Sequence, residues 1–323
     1  MIQITTPSRL HITLIDMNAS LGRVDGGVGL TLERPCMKIS AEQTDEGVFV
    51  TGNSEHLDRM KRAAEAVIPE GNGIHILVET SYQSHVGLGS GTQSGLAAGW
   101  AVNQLYELGL EVREIAALVG RGGTSGIGVE SFEHGGFIVD GGHRFADKGA
   151  FSPSAASRVP PGPVLFRHDF PDWPLVVAIP HLKGASDKNE VDIFREYCPI
   201  PLPEVQAVSH IILMEMLPSV VEADIASFGD ALNRIQGVGF KQREVSLQPR
   251  EVRQCMNVMR EAGAYGAGMS SFGPTVFCVA EEPEQMKWVV SEYLESTIGG
   301  EVFVTTANKS GAQIVYKEND NSK

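Results

Sequence analysis

Three glycines, Gly87, Gly89 and Gly91, fall within five positions of the stretch SHVGLGSGTQ (84–93). Such spacing lets backbone N–H groups converge on an anion, and a helix that follows adds its positive N-terminal end. SGLAAGWAVNQL, directly after, reads as that helix; IHILVET, before, reads as a strand. Ser90, Thr92 and Gln93 place side-chain donors at the helix start. The stretch is not a Walker A loop, because the chain contains no Gly-Lys dipeptide. Nor is it the dinucleotide fingerprint, whose third glycine would fall at Thr92. A tight turn that packs a helix on a sheet has the same spacing, and spacing alone leaves both readings open.

Two more clusters carry chemistry-bearing residues. GAGMSSFGP places Ser270, Ser271 and Gly273 between two strands, where glycines allow close approach of a ligand or of another backbone in a bulged hairpin. Near the N-terminus stand Arg9, His11, Asp16, Arg23 and Asp25. Strand alternation puts Arg9 and His11 on one face, a pair suited to an anionic substrate and equally to a solvated strand with one satisfied histidine. Glu130, Glu133 and His134, just before a strand, read as structural, and Lys241, Arg243, Arg250 and Arg253, which could reach a phosphate, read first as a solvated helix face.

The elements that must position these groups mix without strict βαβ alternation, which favours an α+β fold. Residues 2–16 fit two short strands broken at Pro7, GRVDGGVGLTLERP a glycine-rich turn, and 37–50 a hairpin around TDEG. Helices are expected at 54–68, 92–108, 111–120, 203–217, 222–235, 248–262 and 282–297. PLVVAIP, EVFVTTA and GAQIVYK read as strands, and the Pro-, Ser- and Gly-rich 146–173 as an interdomain connection.

With 323 residues the chain has material for two domains. A net charge of -14 argues against a nucleic-acid partner while leaving room for a local basic pocket. The N-terminus lacks a basic region followed by an apolar run, and the apolar runs look too short to span a bilayer, so no membrane partner and a cytoplasmic location are expected. Cys36, Cys198, Cys255 and Cys278 lie far apart, which suggests neither a zinc site nor a disulfide framework.

PSRLHITLID, VGLGSGTQSGLA and GAGMSSFGPTVF together resemble the three motifs of the GHMP kinase superfamily, in order and over nearly the whole chain. The resemblance implies two α+β domains with the site between them. The first, 1–160, would be of the ribosomal-protein-S5-like domain 2 type, and the second, 161–323, ferredoxin-like. Two positions depart from the kinases: the serine that helps hold Mg²⁺-ATP is Gly91, and the aspartate that activates the acceptor hydroxyl falls at Gly128.

GRVDGGVG, HVGLGSGTQ and GGFIVDGGHR resemble one branch more specifically, the β-ribofuranosylaminobenzene (or β-ribofuranosylphenol) 5′-phosphate synthase family. That resemblance implies a Mg²⁺-dependent, ATP-independent pentosyltransferase of tetrahydromethanopterin biosynthesis, archaeal and homodimeric. It would join phosphoribosyl diphosphate (PRPP) to 4-hydroxybenzoate or 4-aminobenzoate, releasing diphosphate and CO₂. In that light Gly87, Gly89, Ser90, Gly91, Thr92 and Gln93 would hold the diphosphate, with Ser270, Ser271 and Gly273 closing the site. Arg9 would clamp an anionic group and His11 would bond the benzoate hydroxyl or carboxylate. Asp25 would hold Mg²⁺ or face the developing cation, with Arg23 beside it. The alternatives are an ATP-dependent small-molecule kinase of the same fold and a ligand-binding protein without turnover.

Overall fold

The computed structural model describes residues 1–153, 156–157, 159–182 and 187–317. The chain opens with β1 (Ile2–Asp16), β2 (Arg23–Thr44), β3 (Gly47–Gly52), α1 (Leu57–Glu65), β4 (Gly73–Thr80), α2 (Ser90–Leu105), α3 (Val112–Leu118) and α4 (Ile127–Glu133). It continues with β5 (Phe137–Asp140), β6 (His143–Arg144), α5 (Phe145–Lys148), β7 (Val164–His168) and β8 (Leu175–Pro180). Then come α6 (Asp187–Tyr197), α7 (Leu202–Ile211), α8 (Leu217–Glu222), α9 (Ile225–Ile235), α10 (Gly239–Ser246) and α11 (Arg250–Glu261). The last elements are β9 (Gly266–Met269), β10 (Val276–Val279), α12 (Pro283–Glu295), β11 (Gly300–Thr305) and β12 (Gln313–Tyr316).

Two sheets result. The larger runs β12-β1-β2-β4-β3, with β5 and β6 also pairing with β2 and β7 with β5; the smaller is antiparallel, β11-β8-β10-β9. Ile4, Leu10, Ile39 and Ile76 of the large sheet are fully buried in one core with Met60 and Ala64 of α1 and Leu96, Ala97 and Ala101 of α2. Helix α2 lies in the middle of this layer, which is why eleven of its residues, from Ser90 to Asn103, are buried. The small sheet has its own core, where Val276 and Cys278 meet Val252, Met256 and Met259 of α11 and Val290 and Leu294 of α12.

Several expectations change. Residues 2–16 form one strand: Pro7 sits at a register shift between Thr6 and Ser8, where its missing N–H interrupts no ladder bond. GRVDGGVG is strand, not turn, because β2 starts at Arg23. Residues 37–50 do not make a hairpin; β3 pairs parallel to β4, and β4 lies between it and β2. The segment 146–173 is not a free connection, since β7 pairs with β5 inside the large sheet. With β12 paired to β1 as well, a division at residue 160 leaves two strands of the large sheet on its far side. Helices α6 and α10 were not anticipated, and α7 and α8 join through a π-helical turn, Ile212–Met216, into one helical stretch. That stretch, Leu202–Glu222, is by length and composition long and apolar enough to cross a membrane, which the sequence reading missed. One face of it, with Val205, Val208, Ile212, Met216 and Val220, is buried.

Candidate active site

The glycine loop joins β4 to α2, as its spacing suggested. Gly87 and Gly89 have φ of +92° and +80°, in the left-handed region that glycine enters without strain. Gly89 is the N-cap of α2 and offers no side chain, so the first N–H groups of the helix, at Ser90 and Gly91, are left for an anion. The loop is clamped from two sides. Arg9 donates through Nη1 to the Gly87 carbonyl (2.5 Å), and its backbone N–H donates to the Leu88 carbonyl (3.1 Å). Ser270 Oγ donates to the same Gly87 carbonyl (2.7 Å) and accepts the His11 N–H (2.9 Å), while the Ser271 N–H donates to the His11 carbonyl (2.8 Å). The third motif is therefore a buckle between β1 and the loop.

Beside this buckle opens a cavity of about 190 Å³. Its wall carries Arg9, Arg59, Arg121, His11 and His85 against two carboxylates, Glu190 and Glu244. Burial lowers the Arg9 pKa to about 10, so the guanidinium stays charged at neutral pH. His11 is only 6% exposed, and neither ring nitrogen has a hydrogen-bond partner among the described residues. Burial, with Arg9 and Lys241 nearby, holds its pKa well below the usual histidine range, so the ring is neutral.

A polar notch adjoins His11. A Cβ on Gly27 would lie 2.9 Å from Ser125 Oγ, 3.0 Å from His11 Nε2 and 3.1 Å from Asp140 Oδ2, so three polar groups converge on a bare patch of β2. Asp140 is fully buried; its Oδ2 accepts from the Gly126 N–H (3.1 Å) and Ser125 Oγ (3.2 Å), and its Oδ1 from the Gly142 N–H (3.0 Å). Burial outweighs these bonds and pushes its pKa up to about 6.

Of the residues expected in the site, Arg9, His11, Gly87, Gly89, Ser90, Gly91, Thr92 and Ser271 line the cavity. The others do not. Gln93 turns inward to donate to the Gly128 carbonyl (2.8 Å), tying α2 to α4. Ser270 is spent on the buckle, and Gly273, with φ +66°, forms its turn. Arg23 bonds the Gly141 and Gly142 carbonyls (2.9 and 2.8 Å). Asp25 is the largest departure: its Oδ2 lies 2.6 Å from Lys148 Nζ and 2.7 Å from His143 Nδ1, all three side chains buried. Away from the cavity lining, this carboxylate ties β2 to β6 and α5 through Oδ2, while its buried Oδ1 has no hydrogen-bond partner among the described residues. Lys241 is likewise no solvated residue: it is fully buried, its Nζ 2.6 Å from Glu244 Oε2 and donating to the Ser271 carbonyl (3.0 Å). Glu130, Glu133 and His134 lie close enough together to share a metal ion, but beside Arg167 and Lys309 and outside this cavity.

Sequence reasoning missed Arg59, Arg121, Ser125, Asp140 and Glu244. Asp140 stands in GGFIVDGGHR, where its type and place drew no role, and Arg59, Arg121 and Glu244 stand in no motif. The signal that existed was steric: Gly91, Gly89 and Gly27 are the bare positions against which Arg59, Arg9 and Ser125 rest.

Comparison with known proteins agrees with this geometry. Residues 57–136 match the GHMP kinases N terminal domain and 216–295 the GHMP kinases C terminal domain. Homoserine kinase from Cytophaga hutchinsonii superimposes with a TM-score of 0.71 at 18% identity, covering 97% of each chain, which is a likeness of fold. Beta-ribofuranosylphenol 5′-phosphate synthase from Archaeoglobus fulgidus is 50% identical over 87% of this chain and 88% of its own. The protein of that name from Methanothermobacter thermautotrophicus is 45% identical over 97% of this chain and 98% of its own. At that identity over most of both chains, on a GHMP kinase fold, the chain belongs to the β-ribofuranosylphenol 5′-phosphate synthase family.

Proposed function

We propose that this cavity is where PRPP meets 4-hydroxybenzoate or 4-aminobenzoate. The observation that carries the reading is an anion cradle ringed by three arginines and opening directly beside a buried, neutral, unpartnered imidazole. The C1–O bond of PRPP breaks and its electron pair leaves with diphosphate. The ring carbon bearing the carboxylate forms the new C–C bond to C1. The bond to the carboxylate then breaks, its electrons restore the aromatic ring, and CO₂ departs. The product is a C-riboside 5′-phosphate, a precursor for tetrahydromethanopterin.

The loop N–H groups and Arg9, Arg59 and Arg121 stabilise the charge growing on the diphosphate, the kind of fixed electrostatics that contributes most to such steps. His11, neutral, accepts the hydrogen bond of a phenol hydroxyl. Electron density then rises at the para carbon, which bears the carboxylate.

The donors present suit Mg²⁺: the Ser90 and Thr92 hydroxyls and the Glu190 carboxylate are hard oxygens, and few enough to leave room for phosphate oxygens and water; Glu244 is already paired with Lys241. Held there, Mg²⁺ would supply positive charge to the leaving diphosphate. A cytoplasmic homodimer is part of the same proposal.

The test uses carboxyl-labelled 4-hydroxybenzoate, PRPP and Mg²⁺ without ATP, with the CO₂ trapped. Labelled CO₂ is expected only when PRPP is present. No release with either benzoate, together with ADP formed from ATP and a small alcohol, would return the chain to the kinases.

A further inference from the structure

We infer that Arg59 is the residue that makes the cradle selective for diphosphate, and that Gly91 is glycine in order to admit its guanidinium. The inference rests on the proposed PRPP chemistry for its substrate, though not for its geometry.

Gly91 is the second residue of α2, and its φ is not in the left-handed region, so the backbone there accepts any residue. Glycine is a poor helix former. The reason for it lies in the space around it. A Cβ on Gly91 would stand 2.1 Å from Arg59 Nη1 and 3.1 Å from Arg59 Cζ, with Arg121 Nη1 next at 3.8 Å. Arg59 comes from α1, across the α1–α2 packing. It lines the cavity. Among the described residues it has no carboxylate at ion-pair distance, whereas Lys148, Lys241 and Arg243 each have one.

Gly89 repeats the arrangement from the opposite side. A Cβ there would stand 3.0 Å from Arg9 Cγ and 3.1 Å from Arg9 Nε. Two alternate loop positions are thus bare where a guanidinium from a different element rests on each. An anion on the Ser90 and Gly91 N–H groups meets a planar fork on either hand, and such forks bind phosphate oxygens in pairs. One phosphate cannot engage both forks and the helix end as fully as two linked phosphates can.

The clashing atoms are the far end of a flexible side chain. A serine or alanine at position 91 therefore leaves the fold intact and evicts the guanidinium. That makes the idea testable without unfolding the protein.

Inorganic diphosphate and inorganic phosphate are titrated by calorimetry into the wild type, Arg59→Gln, Gly91→Ser and the double variant, and PRPP kinetics are run on the same four. Each single variant is expected to lose about 10- to 100-fold in diphosphate affinity, the worth of a charged hydrogen bond or two. Phosphate affinity should change little. The double variant should be no weaker than Arg59→Gln, because both changes remove one contact. Arg59→Lys should recover part of the loss, keeping the charge without the fork. The KM for the benzoate should stay at its wild-type value.

Unchanged diphosphate affinity in Arg59→Gln, or losses that add in the double variant, would overturn the inference. A wild type that binds diphosphate through Arg59 but releases no CO₂ from PRPP would overturn the proposed reaction and leave this clamp standing. A wild type that releases CO₂ with an undiminished Arg59→Gln would do the reverse.

Discussion

His11 holds an uncharged ring in a pocket that also contains Arg9 and Lys241, and every proton it takes up must be buried beside those charges. The folded state therefore binds that proton less readily than the unfolded chain, whose histidine titrates near ~6.5. Stability from this site is whole above that pH and erodes as pH falls below it. His11→Gln should narrow the gap between the melting temperatures at pH 8 and pH 5, a comparison calorimetry makes directly. The same variant should lower kcat by about 10²- to 10⁴-fold, as for loss of a positioned proton partner, with the KM for PRPP little changed. Asp25 gives a contrasting prediction, because it serves the frame. Asp25→Asn leaves the Lys148 ammonium buried without its carboxylate, which costs ~3–5 kcal/mol. Denaturant unfolding should show that loss, while Asp25→Asn with Lys148→Met should unfold at less than the sum of the two single effects.

Among the elements, the buckle between Ser270–Ser271, β1 and the glycine loop sets the site's rigidity. A Cβ on Gly87 would lie 2.4 Å from the Ser270 carbonyl oxygen, a backbone atom that cannot swing aside, at a φ of +92°. Gly87→Ala should therefore displace the loop, abolish measurable diphosphate binding in calorimetry and cost ~1–3 kcal/mol of stability. The loop was legible in the sequence because convergent N–H groups need glycines at fixed spacing between a strand and a helix. The arginines that surround it were not. Arg59 stands in LDRMKR, a run no different in pattern from any solvated helix face, and only packing reveals what it rests on. The β3 misreading has a similar cause: strand, two residues, strand is the local signature of a hairpin. Here β4, more than twenty residues on, takes the place beside β2 and settles the pairing instead. For Asp25, type and neighbourhood suggested an ion ligand, and nothing in the sequence pointed to its bond with Lys148, far along the chain.

Over the whole molecule, the cavity wall draws on β1, α1 and α2 and, from the second half, on α6, α10 and Ser271. A ligand there stiffens the body from both sides. Inorganic diphosphate at about 100 times its Kd should raise stability by ~2.7 kcal/mol, read as a concentration-dependent rise in melting temperature. Arg9→Gln should flatten that rise. One more property follows from the pairing of β12 with β1. β12 zips onto β1 with Tyr316 opposite Ile2, and the Lys317 N–H donates to the Met1 carbonyl at 3.0 Å. The closeness of Met1 and Lys317 means that a short peptide joining them would close residues 1–317 into a ring. New ends could then be opened at an exposed turn such as Gly71, where even an added side chain would touch nothing. Such a circular permutant would keep the cradle and reverse the order in which its parts are made.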